Sequence, residues 1–455
     1  MNYPNIFLIV FDTLRKDVLP IYGGNASTPN LNEFSKDSVI FNNAIAPAPW
    51  TVPSHYSFFT GLYPREHNIH EDFEFGDRNI IDKIFNFDGE TITKKLSTLG
   101  YNIIGYSANP WLLPYSGFDK YFNFFKYYDA TYVSEYERFL DQESKKYGNN
   151  KIKIAINLLK KGRIKELNNF YKIYRNIHKK QKESGFPVKK GGERIMNDFM
   201  DSSFEEPSFI FMNLMEVHDP NAIWELGVDD RKNKYQDFAK IKTISEKNLR
   251  ETKEGYLKSL KYLDDEFGKL IKNLKRLKIY DLSLIIIISD HGQSFKENYK
   301  YQYYGHGNFL YDELVEVPMI IKYPQNKKFE IKNGYQSLVN IPKVIENVIS
   351  GNIEDNITEL TAFSEVFGCM NDLEMLTKNN ILPKDFNYKE YQEKIFYPRK
   401  AIFKNGYKLV INGFNGEIEE FTYNKKSADP REKKEIIKDL KYELYIFKGN
   451  EKFVI

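Results

Sequence analysis

Unbroken apolar runs alternate with segments of helical periodicity along most of the 455-residue chain. "IFLIVF" and "LSLIIIIS" have almost no polar position, the pattern of parallel strands buried on both faces. Further strands are read in "VIFNNAIA", "YNIIGYSAN", "PSFIFMNLMEV" and "VEVPMIIKYP". Between them, "STPNLNEFSKD" opens a helix, with Thr28 as its cap and Pro29 at the first helical position. "TITKKLSTLG" reads as a helix closed by Gly100, and "LKSLKYLDDEFGKLIKNLKRL" as a long amphipathic one. Strands alternating with helices predict an α/β sandwich around a mostly parallel sheet.

Two regions break this rhythm. Residues 126–200 are polar, lysine-rich and helical in pattern, as in "NLLKKGRIKELNNFYKIYRNIHKKQKESG". They are expected to form a solvated helical cap. The sharper reading is a basic lid that recruits an anionic substrate or makes peripheral contact with a membrane surface. From Tyr397 onward the pattern turns to short strands, "KAIFKNGYKLVINGF" and "EIEEFTYN", before a late helix, "PREKKEIIKDL". A large unit over 1–396, carrying the insertion, and a small antiparallel α+β subdomain over 397–455 are therefore expected. The length also exceeds what one core usually serves.

Composition narrows the function. The balance of 66 Lys+Arg against 63 Asp+Glu leaves a formal charge of +3, too little for a general phosphate-backbone field, so no nucleic acid is expected. The single cysteine, Cys369, excludes an internal disulfide framework and reads as a buried, inert thiol in a reducing compartment. No run approaches the roughly 20 apolar residues of a membrane helix, and "IFLIVF" is too short for a signal-peptide core. The chain is thus expected to be soluble and cytoplasmic.

Candidate chemistry gathers where strands run out, the place where open α/β sheets bind ligands. Asp12 follows "IFLIVF", and Asp290 and His291 follow "LSLIIIIS" in "SDHGQSF". Two carboxylates and an imidazole suit a divalent cation. In "APWTVPSHYSFFTG", a helix starting near Pro53 would aim backbone N–H groups at Thr51. That hydroxyl is open to two readings: an N-cap, shared with Ser54 as candidate, or a nucleophile whose Oγ contacts the metal.

These segments, with "STPNLNEFSKDSVIFNNAIAPAPWTVPSHYSFFTGLYPREHNIH", "GYSANPWLLPYSGFDKYF", "MNLMEVHDP" and "YGHGNFLYDELVEVPMIIKYP", resemble the sulfatase family, a branch of the alkaline phosphatase superfamily. The resemblance spans nearly the whole chain except the insertion. It implies an alkaline-phosphatase-like α/β/α sandwich and one divalent metal (Ca, Mg, Mn or Zn) on Asp12, Asp290 and His291. Thr51 falls where the family places its nucleophile, also in contact with the metal. His218 and His306 match positions that bind the transferred group or protonate the leaving group. Arg15 and Asn109 match recurrent residues near the site, read as substrate contacts together with His55, with a structural role the alternative for Arg15 and Asn109. His67, in "YPREHNIH", reads as architectural.

The sequence also departs from the family's pattern. Sulfatases carry Cys or Ser within Cys-x-Pro-Ser-Arg and oxidise it to formylglycine, whereas this chain reads Thr51-Val52-Pro53-Ser54-His55. Threonine has a methyl on its β-carbon and cannot yield that aldehyde, so no formylglycine is expected. The family's Asp-Asp pair is Asp12-Thr13, one metal ligand fewer. Two-metal branches place an Asp where Leu214 stands, so Asp219 and His306 would assemble only a weak second site. The expectation is a metal-dependent hydrolase acting on an anionic ester of a sugar, lipid or small molecule, a phosphoester or phosphodiester before a sulfate ester. The alternatives are a phosphoryl transferase of the phosphoglycerol or phosphoethanolamine type and a non-catalytic anion-binding pseudoenzyme.

Overall fold

The computed structural model describes residues 3–71, 79–113, 116–128, 151–164, 167–168, 189–203, 205–218, 246–295, 297, 304–368, 397–449, 451 and 453–455. A seven-stranded sheet organises most of the chain. Its strands are β1 (Ile6–Phe11), β2 (Val39–Phe41), β4 (Asn102–Ser107), β5 (Phe124–Tyr127), β6 (Ser208–Leu214), β7 (Leu284–Ile288) and β10 (Met319–Lys322). The remaining number in that run, β3 (Ala44–Ile45), pairs outside this sheet with β11 (Gln336–Ser337), while β8 (Ser294–Phe295) and β9 (Tyr304–Gly305) pair with each other.

The spatial order is β2-β10-β7-β1-β6-β4-β5. Strands β7, β1, β6, β4 and β5 run parallel, and β10 is antiparallel to both of its neighbours. "VIFNNAIA", expected as one strand, is split between β2 and β3 by an Asn42–Asn43 turn.

Alternate residues of each central strand enter opposite layers, as a pleated strand requires. Ile6, Leu8, Val10, Phe209, Phe211, Ile286 and Ile288 face one core, shared with Val52 and Phe59 of the Thr51–Thr60 helix. Phe7, Ile9, Phe11, Ile285 and Ile287 face the other, against Leu260, Leu263, Phe267 and Leu270 of the Glu246–Arg276 helix. Helices on both faces make the expected α/β/α sandwich.

A second, antiparallel sheet has the order β12 (Thr361–Val366), β13 (Arg399–Lys404), β14 (Tyr407–Asn412), β15 (Ile418–Tyr423), β16 (Lys426–Ser427). The Lys434–Lys448 helix packs on it through Ile437, Leu440 and Leu444. The sheet takes its edge strand, β12, from upstream of residue 397. Residues 369–396, with Cys369 and the expected 396/397 boundary, lie outside the described residues. So do 129–150 and 169–188 of the basic insertion, and Asp219. No helix among the described residues is long and apolar enough to cross a membrane.

Candidate active site and metal centre

Registration of β1 on β6 and β7 decides what meets at the strand ends. Phe11 pairs with Leu214 and Val10 with Ile288, so Asp12 and Asp290 emerge side by side. Both carboxylates are fully buried. Asp12 Oδ2 accepts from Asn109 Nδ2 at 2.6 Å and Asn213 Nδ2 at 3.2 Å. Asp290 Oδ1 accepts from the backbone N–H groups of Thr13 (3.2 Å) and His291 (3.0 Å).

The other two oxygens, Asp12 Oδ1 and Asp290 Oδ2, have no hydrogen-bond partner among the described residues. His291 faces them. Its Nδ1 lies 2.9 Å from the Gly292 carbonyl, which only accepts, so Nδ1 carries the proton and Nε2 presents a lone pair. That lone pair lies 3.4 Å from Asp290 Oδ2 and 3.9 Å from Asp12 Oδ1. One donor atom from each of the three residues falls within 4.8 Å of the others. Burial and the neighbouring carboxylate push the Asp12 carboxyl up to about 7. Burial does the same to Asp290, up to about 7, and holds His291 below its ordinary value. Two orphaned carboxylate oxygens and an imidazole lone pair converging in a buried space fit a divalent cation, which would offset these penalties.

Thr51 opens the Thr51–Thr60 helix, two residues earlier than the sequence predicts. Trp50 occupies the cap position, and no side chain there caps the helix. The Thr51 hydroxyl instead lies 3.4 Å from His291 Nε2 and accepts from Asn109 Nδ2 at 3.2 Å. Ser54, the other cap candidate, donates to the Asp290 carbonyl at 2.6 Å. Trp50 Nε1 donates to the buried Glu71 Oε2 at 2.8 Å, and Glu71 Oε1 accepts from Phe367 and Gly368, so the helix start is tied to the end of β12. His67, as expected of an architectural residue, sits beneath the same helix. Its Nδ1 accepts from Ile69 N–H, and its Nε2 faces Ser57 and the Pro53 carbonyl.

Of the three expected substrate contacts, two are packed inward. His55 is fully buried, its Nδ1 donating to the Thr51 carbonyl (2.8 Å) and its Nε2 accepting from Asn213 (3.2 Å). Burial pushes its pKa down to about 3, so it is neutral. Arg15 spends its guanidinium on Asp17, Glu297 and the Gln293 carbonyl. Both side chains thus face protein partners, with both ring nitrogens of His55 engaged. Asn109, by contrast, bridges Asp12 and Thr51 directly.

His218 and His306 are brought together with rings 5.0 Å apart, and His306 lies 4.5 Å from the His291 ring. Both are partly exposed. His306 Nδ1 donates to Gln293 Oε1 at 2.7 Å, and buried Lys190 donates Nζ to the His218 carbonyl.

The sequence reading missed Asn213, Gln293 and Lys190. Asn213 left a signal, as the one polar position within "FIFMNLM". Gln293 had its place two residues after His291. Lys190 had none, being one lysine among many in the insertion.

The chain is 22% identical over 507 aligned residues to an N-acetylglucosamine-6-O-sulfatase of Bacteroides thetaiotaomicron, covering 96% of this chain and 83% of that one. In fold it is similar to the phosphonate monoester hydrolase of Agrobacterium radiobacter, with a TM-score of 0.62, 14% identity, and coverage of 98% and 96% of the two chains. It is likewise similar to a 2-O GAG sulfatase, with a TM-score of 0.63, 14% identity and coverage of 98% and 92%. The Sulfatase family model matches residues 4–346, a span that holds β1, the strand ends with the candidate metal ligands, and both candidate histidines. By that match, the chain belongs to the sulfatase family.

Proposed function

We propose that this ester hydrolase acts through an unmodified Thr51 on a phosphoester, a diester before a monoester and either before a sulfate ester. The observation that carries the reading is the Thr51 hydroxyl, released from capping and held by Asn109 within 3.4 Å of the candidate ligand His291. Asp12, Asp290 and His291 would hold one divalent ion, which when bound supplies Lewis-acid activation of the hydroxyl and of the substrate oxygen.

The chain's own groups perform the rest. Thr51 gives up its hydroxyl proton to solvent, and Oγ attacks phosphorus in line, forming a threonyl ester as the P–O bond to the leaving oxygen breaks on the opposite side. His306 or His218 gives that oxygen its proton. Gln293 fixes the proton of His306 on Nδ1 and so leaves Nε2 for this exchange. Positioning and charge stabilisation dominate such displacements.

Charge counting favours a monoanionic group. Two carboxylates balance one divalent ion, Arg15 is paired with two acids, and His55 is neutral. Among the described residues, the partly exposed His218 and His306 and the buried Lys190, whose Nζ donates to the His218 carbonyl, lie on the same side of the site. A sulfate ester is monoanionic as well, and the chemistry of the nucleophile is what separates it from a phosphodiester. A threonyl phosphate is released by water attacking phosphorus. The hydrated aldehyde, which expels sulfate by C–O cleavage, is closed to a β-carbon bearing a methyl. The ester is carried by a sugar, lipid or small molecule, and the sulfatase relative's name favours a sugar.

The test is a panel of p-nitrophenyl sulfate, p-nitrophenyl phosphate, bis(p-nitrophenyl) phosphate and p-nitrophenyl phenylphosphonate, with purified protein and added divalent salts. Diester turnover by the wild type, lost in Thr51→Ala while metal is still bound, is the expected result. Activity retained by Thr51→Ala would sink the nucleophile. A metal-loaded wild type that turns over none of the four would leave an anion-binding protein.

A further inference from the structure

The role of the C-terminal sheet is unexplained by anything above. We infer that Arg399, on β13 of that sheet, is a positioning residue for His306, an inference that rests on the part given to His306 in the proposed function.

Arg399 is fully buried and placed at a junction. Its Nε and Nη2 form a fork onto Glu419, at 2.5 and 3.1 Å, and Glu419 is held in turn by Asn412 Nδ2 at 2.9 Å. Nη1 donates to the Tyr397 carbonyl at 2.9 Å and reaches the Asn308 carbonyl at 3.4 Å. The guanidinium carbon lies 4.6 Å from the centre of the Phe309 ring. A planar, always-charged fork fixed on one side by a carboxylate offers its remaining edge in a set direction.

That edge meets the chain just past His306. Gly307, between His306 and Asn308, has φ +101°, where no side chain restrains the backbone. Asn308 and Phe309 are each 1% exposed, so the first rigid ground after His306 is the pair that Arg399 holds.

The clamp continues downstream. Lys408 of β14 donates to Asp312 at 2.7 Å, and Lys425, before β16, pairs with Glu316 at 2.5 Å. On its other side the same segment meets the metal-ligand loop. Gly292 N–H donates to the Leu314 carbonyl at 2.8 Å, and Ser294 donates to Glu313 at 2.9 Å. A Cβ at Gly292 would fall 1.8 Å from the Glu313 carbonyl oxygen. The segment 304–316 is thus pinned between the loop that carries His291 and the C-terminal sheet, and of the sheet's contacts the one from Arg399 falls closest along the chain to His306.

The test separates positioning from stability. Arg399→Met paired with Glu419→Leu removes both charges and leaves no buried acid unpaired, and Arg399→Lys keeps the charge without the fork. Each is made in the wild type and in a His306→Ala background, and bis(p-nitrophenyl) phosphate turnover is measured. The expected loss in kcat is about tenfold in the wild type and less than about twofold once His306 is gone. An equal loss in both backgrounds would overturn the inference.

A second readout needs no turnover. The chain has seven histidines, so 13Cε1-labelling gives a countable spectrum in which His306→Ala assigns its own resonance. The Arg399 variants should move that resonance and leave those of His67 and His70 in place. An unmoved His306 resonance would refute the inference even if no substrate were turned over. Full activity in His306→Ala would instead refute the role given to His306, with the resonance still deciding what Arg399 does.

Discussion

The hydroxyl of Thr51 and the Nε2 of His291 lie 3.4 Å apart although 240 positions separate the residues in the chain. A buried contact of that kind depends on two independent placements. The β1–β7 register sets His291, and the helix entry held by Trp50 and Glu71 sets Thr51.

Asn109 should matter for turnover more than for stability. Its amide donates to both Asp12 and Thr51, so it would orient the proposed nucleophile and one candidate ligand at once. Asn109→Ala is expected to lower kcat by about 10- to 100-fold, with little change in KM or melting temperature. Steady-state kinetics beside a thermal melt check this, and a melt that collapses with kcat would mark Asn109 as structural.

Thr13 marks the missing acid. It is a β-branched residue at φ +60°, and its buried hydroxyl has no hydrogen-bond partner among the described residues. Asp tolerates that backbone region better than Thr. Thr13→Asp should tighten divalent-cation binding by about tenfold, as added ligand charge does, and should lower the melting temperature of the chelated protein. Isothermal titration with Ca, Mg, Mn and Zn salts measures the first effect. Unchanged affinity for all four would show that position 13 does not face the ion.

Metal removal should matter more in mildly alkaline than in acidic solution. Folding raises Asp12 and Asp290 from 3.8 to about 7, so the metal-free fold binds protons more readily than the unfolded chain. That contribution is complete below pH 4 and is lost as pH rises through about 7. An ion must displace the same protons, so its affinity rises over the same window. Melts with and without chelator should therefore differ more at pH 8 than at pH 5.5. Equal differences at the two values would contradict the shared-carboxylate site.

Glu71 should resist replacement by its amide. Among the described residues its carboxylate faces donors, Trp50 Nε1 and the N–H groups of Phe367 and Gly368. Glu71→Gln turns an NH2 toward one of them, a mismatch worth about 1–3 kcal/mol. The expected signs are a lower melting temperature and reduced turnover together, since Trp50 precedes Thr51. A neutral result would mean the strand end and the helix start are held by other contacts.

Much of this protein could be read from one dimension. The apolar runs that became β1, β6 and β7 specify buried parallel strands, because a strand covered on both faces has no position for a polar side chain. Acids at the ends of two such runs marked the candidate metal ligands, and the segment around Thr51 marked the candidate nucleophile. What stayed hidden was whatever depends on which way a side chain turns after burial. Arg15 and His55 were expected at the substrate and are committed to Asp17, Glu297, Asn213 and a backbone carbonyl. Asn213, Gln293 and Lys190 join the site only because separate elements carry them there.

The sequence by itself determined the sandwich and pointed to Asp12, Thr51, Asp290 and His291, which cluster at its edge. Tertiary structure alone decided that Thr51 does not cap its helix, and that a distant antiparallel sheet braces the loop after His306. The physical reason is that periodicity encodes which face of an element is buried. The partner of each buried polar atom is chosen afterwards, by strand register and by elements hundreds of residues away.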